Sequence, residues 1–188
     1  MTMLRLISLA ALTALAACSA TPDRFAVPAA PVEARSERIS YRSVEVRQVS
    51  LPTYAASEEI YVRSPEGALA SSGLLWADEP TRAVTQELAR YLTQLTGAQV
   101  AAEPWPFYEP AQARVEVRVE EMLAEGDQVF VMSGQYFVAP ESSGRRDRSG
   151  LFRLSAPIGA DGGALAIAAA RGEVVRDLAR TIAREALR

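Results

Sequence analysis

Little in this chain can do covalent chemistry, and what there is centres on one residue. Cys18 is the sole thiol, and it closes the run Leu15-Ala16-Ala17-Cys18. It has no base to activate it, because the sequence contains no histidine and no lysine; all 20 basic residues are arginine. That inventory excludes Ser-His-Asp and Cys-His arrangements, Schiff bases and Ser-Lys dyads, and the lysine of a phosphate-binding loop. A single cysteine also excludes an internal disulfide and a Cys/His zinc site. Carboxylates remain. Glu58/Glu59 and Glu120/Glu121 are adjacent pairs. Both fall in segments of strand character, where neighbours point to opposite faces, so neither makes an acid–base dyad. No catalytic residue, cofactor site or metal site is expected, and the chain reads as a non-enzyme.

Upstream of Cys18 lie a short charged start, Met1 to Arg5, and an apolar stretch from Leu6 to Leu15. This is the layout of a secretory signal peptide. It is too short for a membrane span, which needs about 20 apolar residues. The small residues before the cysteine resemble the bacterial lipoprotein signal. That resemblance implies cleavage before Cys18, acylation of its thiol, and a mature protein tethered to a membrane outside the cytoplasm. Several acyl chains anchor stably, at about 0.8 kcal/mol per buried CH2, where a single chain is marginal. The expected organisation is a signal peptide over 1–17, a lipidated flexible tether over 18–38 and one domain over 39–188. Pro22, Pro28 and Pro31 and the lack of periodicity carry the tether reading. At about 3 Å per residue it would hold the domain up to roughly 60 Å from the bilayer, less if Phe25 and Val27 pack on the domain. The formal net charge of −3 is not that of a nucleic-acid-binding domain.

The domain must be built from strands and two helices. Val44, Val46, Val49 and Leu51 suggest a bulged strand ending at Pro52. Glu59 to Arg63 is a second strand, Ser64-Pro65-Glu66-Gly67 a turn, and Leu69 to Trp76 a third strand. Asp78 is placed to cap a helix whose first turn holds Pro80 and whose apolar face is Val84, Leu88, Tyr91, Leu92 and Leu95, with Gly97 as its stop. A short strand over 98–102 leads into a Pro-bracketed loop, 103–108. Residues 114–120 alternate perfectly: Val115, Val117 and Val119 inward, Arg114, Glu116, Arg118 and Glu120 outward. Glu125-Gly126-Asp127 turns the chain into a partner strand over 128–138. A polar tip over 141–150 precedes the last strand, 151–158. The final helix, 164–187, carries Ile167, Ala170, Val174, Leu178 and Ile182 on its buried stripe, with basic residues in its last turns. The fold class is α/β, with α+β possible: a mixed sheet covered by two amphipathic helices.

Three surface features stand out. The outward row Arg114, Glu116, Arg118 and Glu120 is either a solvated sheet face or a subunit interface set in register by charge. Trp105, Phe107 and Tyr108 are either a lid on the core or an aromatic anchor for a partner. Arg145, Arg146 and Arg148 form a small basic patch that is either solvated or in contact with anionic headgroups.

The ordered set of Cys18, Val49-Ser50-Leu51-Pro52-Thr53-Tyr54, Glu59-Ile60-Tyr61-Val62-Arg63, Leu75-Trp76-Ala77-Asp78-Glu79-Pro80, Pro104-Trp105-Pro106 and the strand Arg114 to Glu120 resembles the PqiC-type family. These are auxiliary lipoproteins of ABC-type and MCE transport systems, and the likeness covers roughly residues 18 to 185. It implies a fold akin to the N-terminal domain of TolB and an outer-membrane lipoprotein facing the periplasm. It also implies an MCE-domain protein and an ABC-type permease as partners, inter-membrane lipid transport, and a possible homo-oligomeric ring. Ser19 follows the cysteine, where an aspartate would favour inner-membrane retention. One departure is Arg24-Phe25-Ala26-Val27, which stands where family members often carry a Tyr-Tyr-x-Leu-like patch. The alternative function is an independent lipid or lipoprotein carrier with its own apolar cavity.

Overall fold

The structure, a computed structural model, describes residues 22–126, 128–141, 144–160 and 162–188. The signal peptide and Cys18 lie outside the described residues. Eight strands form one mixed sheet: β1 (Arg24–Phe25), β2 (Ser43–Val46), β3 (Glu59–Arg63), β4 (Leu69–Trp76), β5 (Gln99–Ala102), β6 (Ala113–Glu125), β7 (Val129–Pro140) and β8 (Arg148–Pro157). Among the described residues three helices accompany them: α1 (Thr53–Ala56), α2 (Pro80–Thr96) and α3 (Ala164–Glu185). The expected mixed sheet with two long covering helices is what forms. The four-residue α1 is an addition that its length hides from periodicity.

β6 organises the sheet. One of its edges takes β7 along its whole length, antiparallel. The other edge is shared: β2 pairs with its first residues and β3 with its last, both parallel. Between them the chain beyond β2 bridges Ser50 to Arg118 before Pro52 turns it away. β5 lies outside β2, β4 outside β3, and β1 outside β4. β8 closes the far side as an edge strand, paired among the described residues only to β7.

The alternation read for β6 holds through Val119, and Val115, Val117 and Val119 are buried. A bulge between Val119 and Glu121 then shifts the register, so Met122 rather than Glu121 continues the core face. Opposite it lies Gly134, where a Cβ would overlap the Arg118 carbonyl oxygen. Only glycine allows the two strands to close at this point.

The helices cover one sheet face. Val84, Leu88, Tyr91, Leu92 and Leu95 of α2 are fully buried, as the spacing predicts. The N-cap is Glu79 rather than Asp78: its carboxylate accepts the amides of Thr81 and Arg82, while Asp78 pairs with the Arg82 side chain one turn on. Gly97 ends α2 in the left-handed region (φ 70°) with its N–H on the Thr93 carbonyl. On α3 the burial extends past the expected stripe to Ala168, Val175, Ala179 and Ala183.

The segment read as a flexible tether, with Phe25 and Val27 as points of contact, lies on the domain from Arg24 onward. β1 pairs with Leu75 and Trp76 at the end of β4, and the Ala77 N–H donates to the Phe25 carbonyl at 2.9 Å. Ala30 donates to the Tyr91 hydroxyl at 2.8 Å. Arg35 and Glu37 then donate their N–H groups to the Gln94 and Leu95 carbonyls at 2.8 and 2.9 Å. Those carbonyls end α2 and have no partner within the helix. Residues 24–37 are thus a strap laid along the whole of α2. Glu37, buried, ties the end of the strap to Arg184 on α3 and to Arg188 just beyond it, at 2.6 and 3.6 Å.

Candidate functional site

The helix-free face of β6, β7 and β8 carries the charged row predicted from the sequence. Arg114 reaches Glu45 and Glu141, both at 3.0 Å, and so ties β6 to its neighbours. Arg118 pairs with Glu116 at 2.6 Å and lies over the Phe137 ring at 4.9 Å. Glu120 is exposed at the bulge. Across the sheet, Glu116 is level with Phe137 and Ser149, and Arg118 with Gln135 and Leu151. Leu151 is 77% exposed, so an apolar side chain stands among the charges. Phe137 and Leu151 were not singled out from the sequence; they alternate with the buried Val138 and Phe152, and that period-2 pattern was the signal.

Beyond the bulge the same face carries a four-membered ion network. Arg63 of β3 holds Glu121 at 2.6 Å and Glu125 at 3.1 Å; Arg153 of β8 holds Glu121 at 2.7 Å and Glu125 at 3.5 Å. The hydrogen bonds from Arg63, then Arg153, hold the Glu121 carboxyl below the usual carboxylate range. Leu123 and Val131 sit between these residues on the strands and are buried. Arginine and glutamate stems can cover apolar surface in this way. Glu121 joins this network because the bulge moves it off the alternation, so Glu120 and Glu121 do not divide between opposite faces as a regular strand would have them.

Trp105, Phe107 and Tyr108 lie in the connection from β5 to β6, which must cross β2 because that strand lies between them. The Trp105 indole N–H donates to the Glu109 carbonyl at 2.7 Å, and its ring meets Phe107 edge-on at 4.9 Å. Tyr108 is fully exposed and Phe107 partly so. The cluster is a self-supported aromatic projection, with none of its rings in the hydrophobic core. No hydrogen bond or ion pair joins it to the Arg114–Glu120 row among the described residues.

A buried ion pair went unread in the sequence. Arg171 of α3 is 1% exposed; it donates to Glu87 of α2 at 3.2 Å and lies over the Trp76 ring at 4.7 Å. Burial pushes the Glu87 carboxyl up and the Arg171 guanidinium down from their ordinary values. Both residues fall on buried helical positions, Arg171 four after Ile167 and Glu87 three after Val84. Beside them a cleft of about 210 Å³ opens between Phe25, Val27, Trp76 and Arg90. No cluster of metal-ligating side chains occurs among the described residues.

Comparison with known proteins places this arrangement. No curated protein matches the sequence. Among solved structures, the crystal structure of an uncharacterized protein superposes with a TM-score of 0.70 at 20% identity, covering 87% of this chain and 97% of the other. A Xanthomonas campestris protein of the family DUF330 superposes with a TM-score of 0.64 at 18% identity, covering 84% and 91%. These likenesses bear on the fold. The sequence itself matches a family model, the ABC-type transport auxiliary lipoprotein component, over residues 25–183, from the strap through nearly all of α3. The chain belongs to the ABC-type transport auxiliary lipoprotein family.

Proposed function

We propose that this chain is the outer-membrane lipoprotein of an MCE-type lipid transport system, held by acylated Cys18 on the periplasmic face. It would work beside an MCE-domain protein and its ABC-type permease. Family membership over residues 25–183 is the observation that carries the reading. The run Leu15-Ala16-Ala17-Cys18 supplies the anchor and Ser19 supports outer-membrane sorting. With the strap docked, only residues 18 to 23 separate the anchor from the domain, a reach of about 20 Å. The domain then stands close to its membrane as a short-leashed collar rather than a long-armed carrier.

The partner surface is the helix-free face of β6–β8: Arg114, Glu116, Arg118 and Glu120, joined by Phe137 and Leu151, with Trp105, Phe107 and Tyr108 as the aromatic anchor. Mixed charge there sets register, and exposed rings supply the contact area that dominates protein interfaces. The free edge of β8 offers a place for a second copy in a ring. On the opposite face, α2 and α3 fill the sheet with packed side chains, which leaves the independent-carrier reading without support from the interior.

The test is affinity purification of the tagged, membrane-extracted protein with mass spectrometry of bound proteins and lipid extraction of the same sample. Recovery of an MCE-domain protein with its permease is expected, and Tyr108→Ala with Leu151→Asp should reduce it. Copurifying lipid without those proteins would sink the reading in favour of the carrier. Cys18→Ala should leave a folded protein that no longer supports transport; full complementation would refute the anchor.

A further inference from the structure

The charge of the domain is unevenly placed. At the end of α2 marked by Gly97, a shallow groove of about 500 Å³ runs along the strap between Arg35, Arg38, Tyr41 and Arg42. Arg145 stacks on Tyr41 at 4.6 Å. Arg184 and Arg188 come in from the end of α3, and Arg148 donates to the Glu185 carbonyl at 3.1 Å. Seven arginines thus gather at one end of a chain whose formal net charge is −3. Two carboxylates among them are already engaged: Glu37 is buried against Arg184, and Glu185 accepts from the Tyr136 hydroxyl at 2.7 Å; a third, Asp147, is exposed beside Arg148 in the chain. Arg38, Arg42 and Arg145 are exposed and make no ion pair among the described residues.

The direction of this end follows from the strap. The chain enters beside Trp76, just before α2 begins, and reaches Glu37 where α2 ends. α2 has 17 residues, about 25 Å of helix. The groove therefore lies a helix length from the point where the anchor would leave the domain. A leash of about 20 Å holds the opposite end to the bilayer. Guanidinium forks match carboxylates bidentately, and an open groove suits an extended chain better than an enclosed small ligand.

We propose that this arginine groove docks an acidic, Asp/Glu-rich segment of a protein partner on the side of the domain that faces away from its own membrane. Only its direction rests on the lipid-anchor reading; the charge complementarity does not.

Two measurements test it on the full chain. In neutral detergent at low salt, fluorescein-labelled hexaglutamate is titrated by anisotropy, with labelled hexaglutamine as the neutral control. Binding of the glutamate peptide alone is expected, weakened at least tenfold by Arg38→Glu with Arg42→Glu and at most twofold by Arg90→Glu elsewhere on α2. Equal binding of both peptides, or equal loss in the two variants, overturns the site. In the second arm the chain is reconstituted into vesicles of phosphatidylethanolamine and phosphatidylglycerol at 3:1, with a fluorophore on Arg42→Cys and a headgroup quencher. Little quenching is expected. Strong quenching means the groove lies on the bilayer and overturns the assignment to a protein segment. If the chain does not join the vesicles at all, the anchor reading fails, while the peptide titration still decides the groove.

Discussion

Replacing Gly172 by leucine should release the strap and leave the domain folded. Gly172 is buried in α3 where the strap crosses it; a Cβ there would stand 2.7 Å from the Pro28 carbonyl oxygen and 3.2 Å from Val27 Cγ1. Ordinary contact begins near 3.4 Å, so even alanine pushes the strap back by several tenths of an ångström, and leucine by the depth of a side chain. The loss is the Ala30 N–H to Tyr91 hydroxyl bond, about 1 kcal/mol, together with the partial burial of Val27, Ala30 and Val32, on the order of 1–3 kcal/mol. Against this, removing a glycine from a helix interior favours the helix by about 1 kcal/mol. The helix gains while the strap loses, so the two effects separate by position. Amide hydrogen exchange reads them directly. The Ala30 amide should lose at least tenfold of its protection in Gly172→Leu, equivalent to about 1.4 kcal/mol, with β6 amides unchanged and Gly172→Ala in between. Unchanged protection at Ala30, or β6 falling in step with it, would show the reasoning to be wrong.

The other predictions concern the buried charges and the bulge. Arg171→Met alone should cost about 3–5 kcal/mol by stranding Glu87, and adding Glu87→Leu should restore most of it, as urea unfolding in a double-mutant cycle would reveal. Because the folded-state pKa of Glu87 is raised above the ordinary 4.5, the single variant should gain stability as pH falls from neutral toward that ordinary value; a flat profile over that fall counts against the assignment. Glu37 behaves oppositely. Its folded pKa is lowered, first by the Arg184 hydrogen bond, so its contribution is complete above the ordinary value of 4.5 and fades as pH drops below it. Glu37→Gln should therefore cost about 2 kcal/mol at neutral pH and flatten the acid limb of a thermal-melt series. Gly134→Ala should cost about 1–3 kcal/mol through its clash with the Arg118 carbonyl, seen as a lower urea midpoint with unchanged slope.

Sequence legibility followed the range of the forces involved. The α2 face, Gly97 and the valines of β6 were readable because burial periodicity and helix stops are local. The cap slipped by one residue because Asp78 and Glu79 are both acidic and Pro80 suits either frame. The extent of the strap's docking was not legible because its composition is that of a linker, with only Phe25 and Val27 standing out as contacts; the docking depends on α2 carbonyls and on Gly172, both distant in the chain. Arg171 and Glu87 were hidden by their polarity, although each sits where helical spacing demands burial. The outward row of β6 was correct in its facing, yet its apolar companions Phe137 and Leu151 lay on strands read only for their cores.

The strap also sets an order of events. Its last anchor points are Arg184 and Arg188 on Glu37 and the Leu187 carbonyl on the Ser40 amide at 2.7 Å; Arg184 stands 147 positions beyond Glu37 in the chain. A chain made from its N-terminus forward presents residues 22–40 long before these partners arrive. Seating of the strap therefore waits for the end of α3. Until then residues 22–40 lack these latches, and a chain truncated before α3 ends should leave them open to proteases.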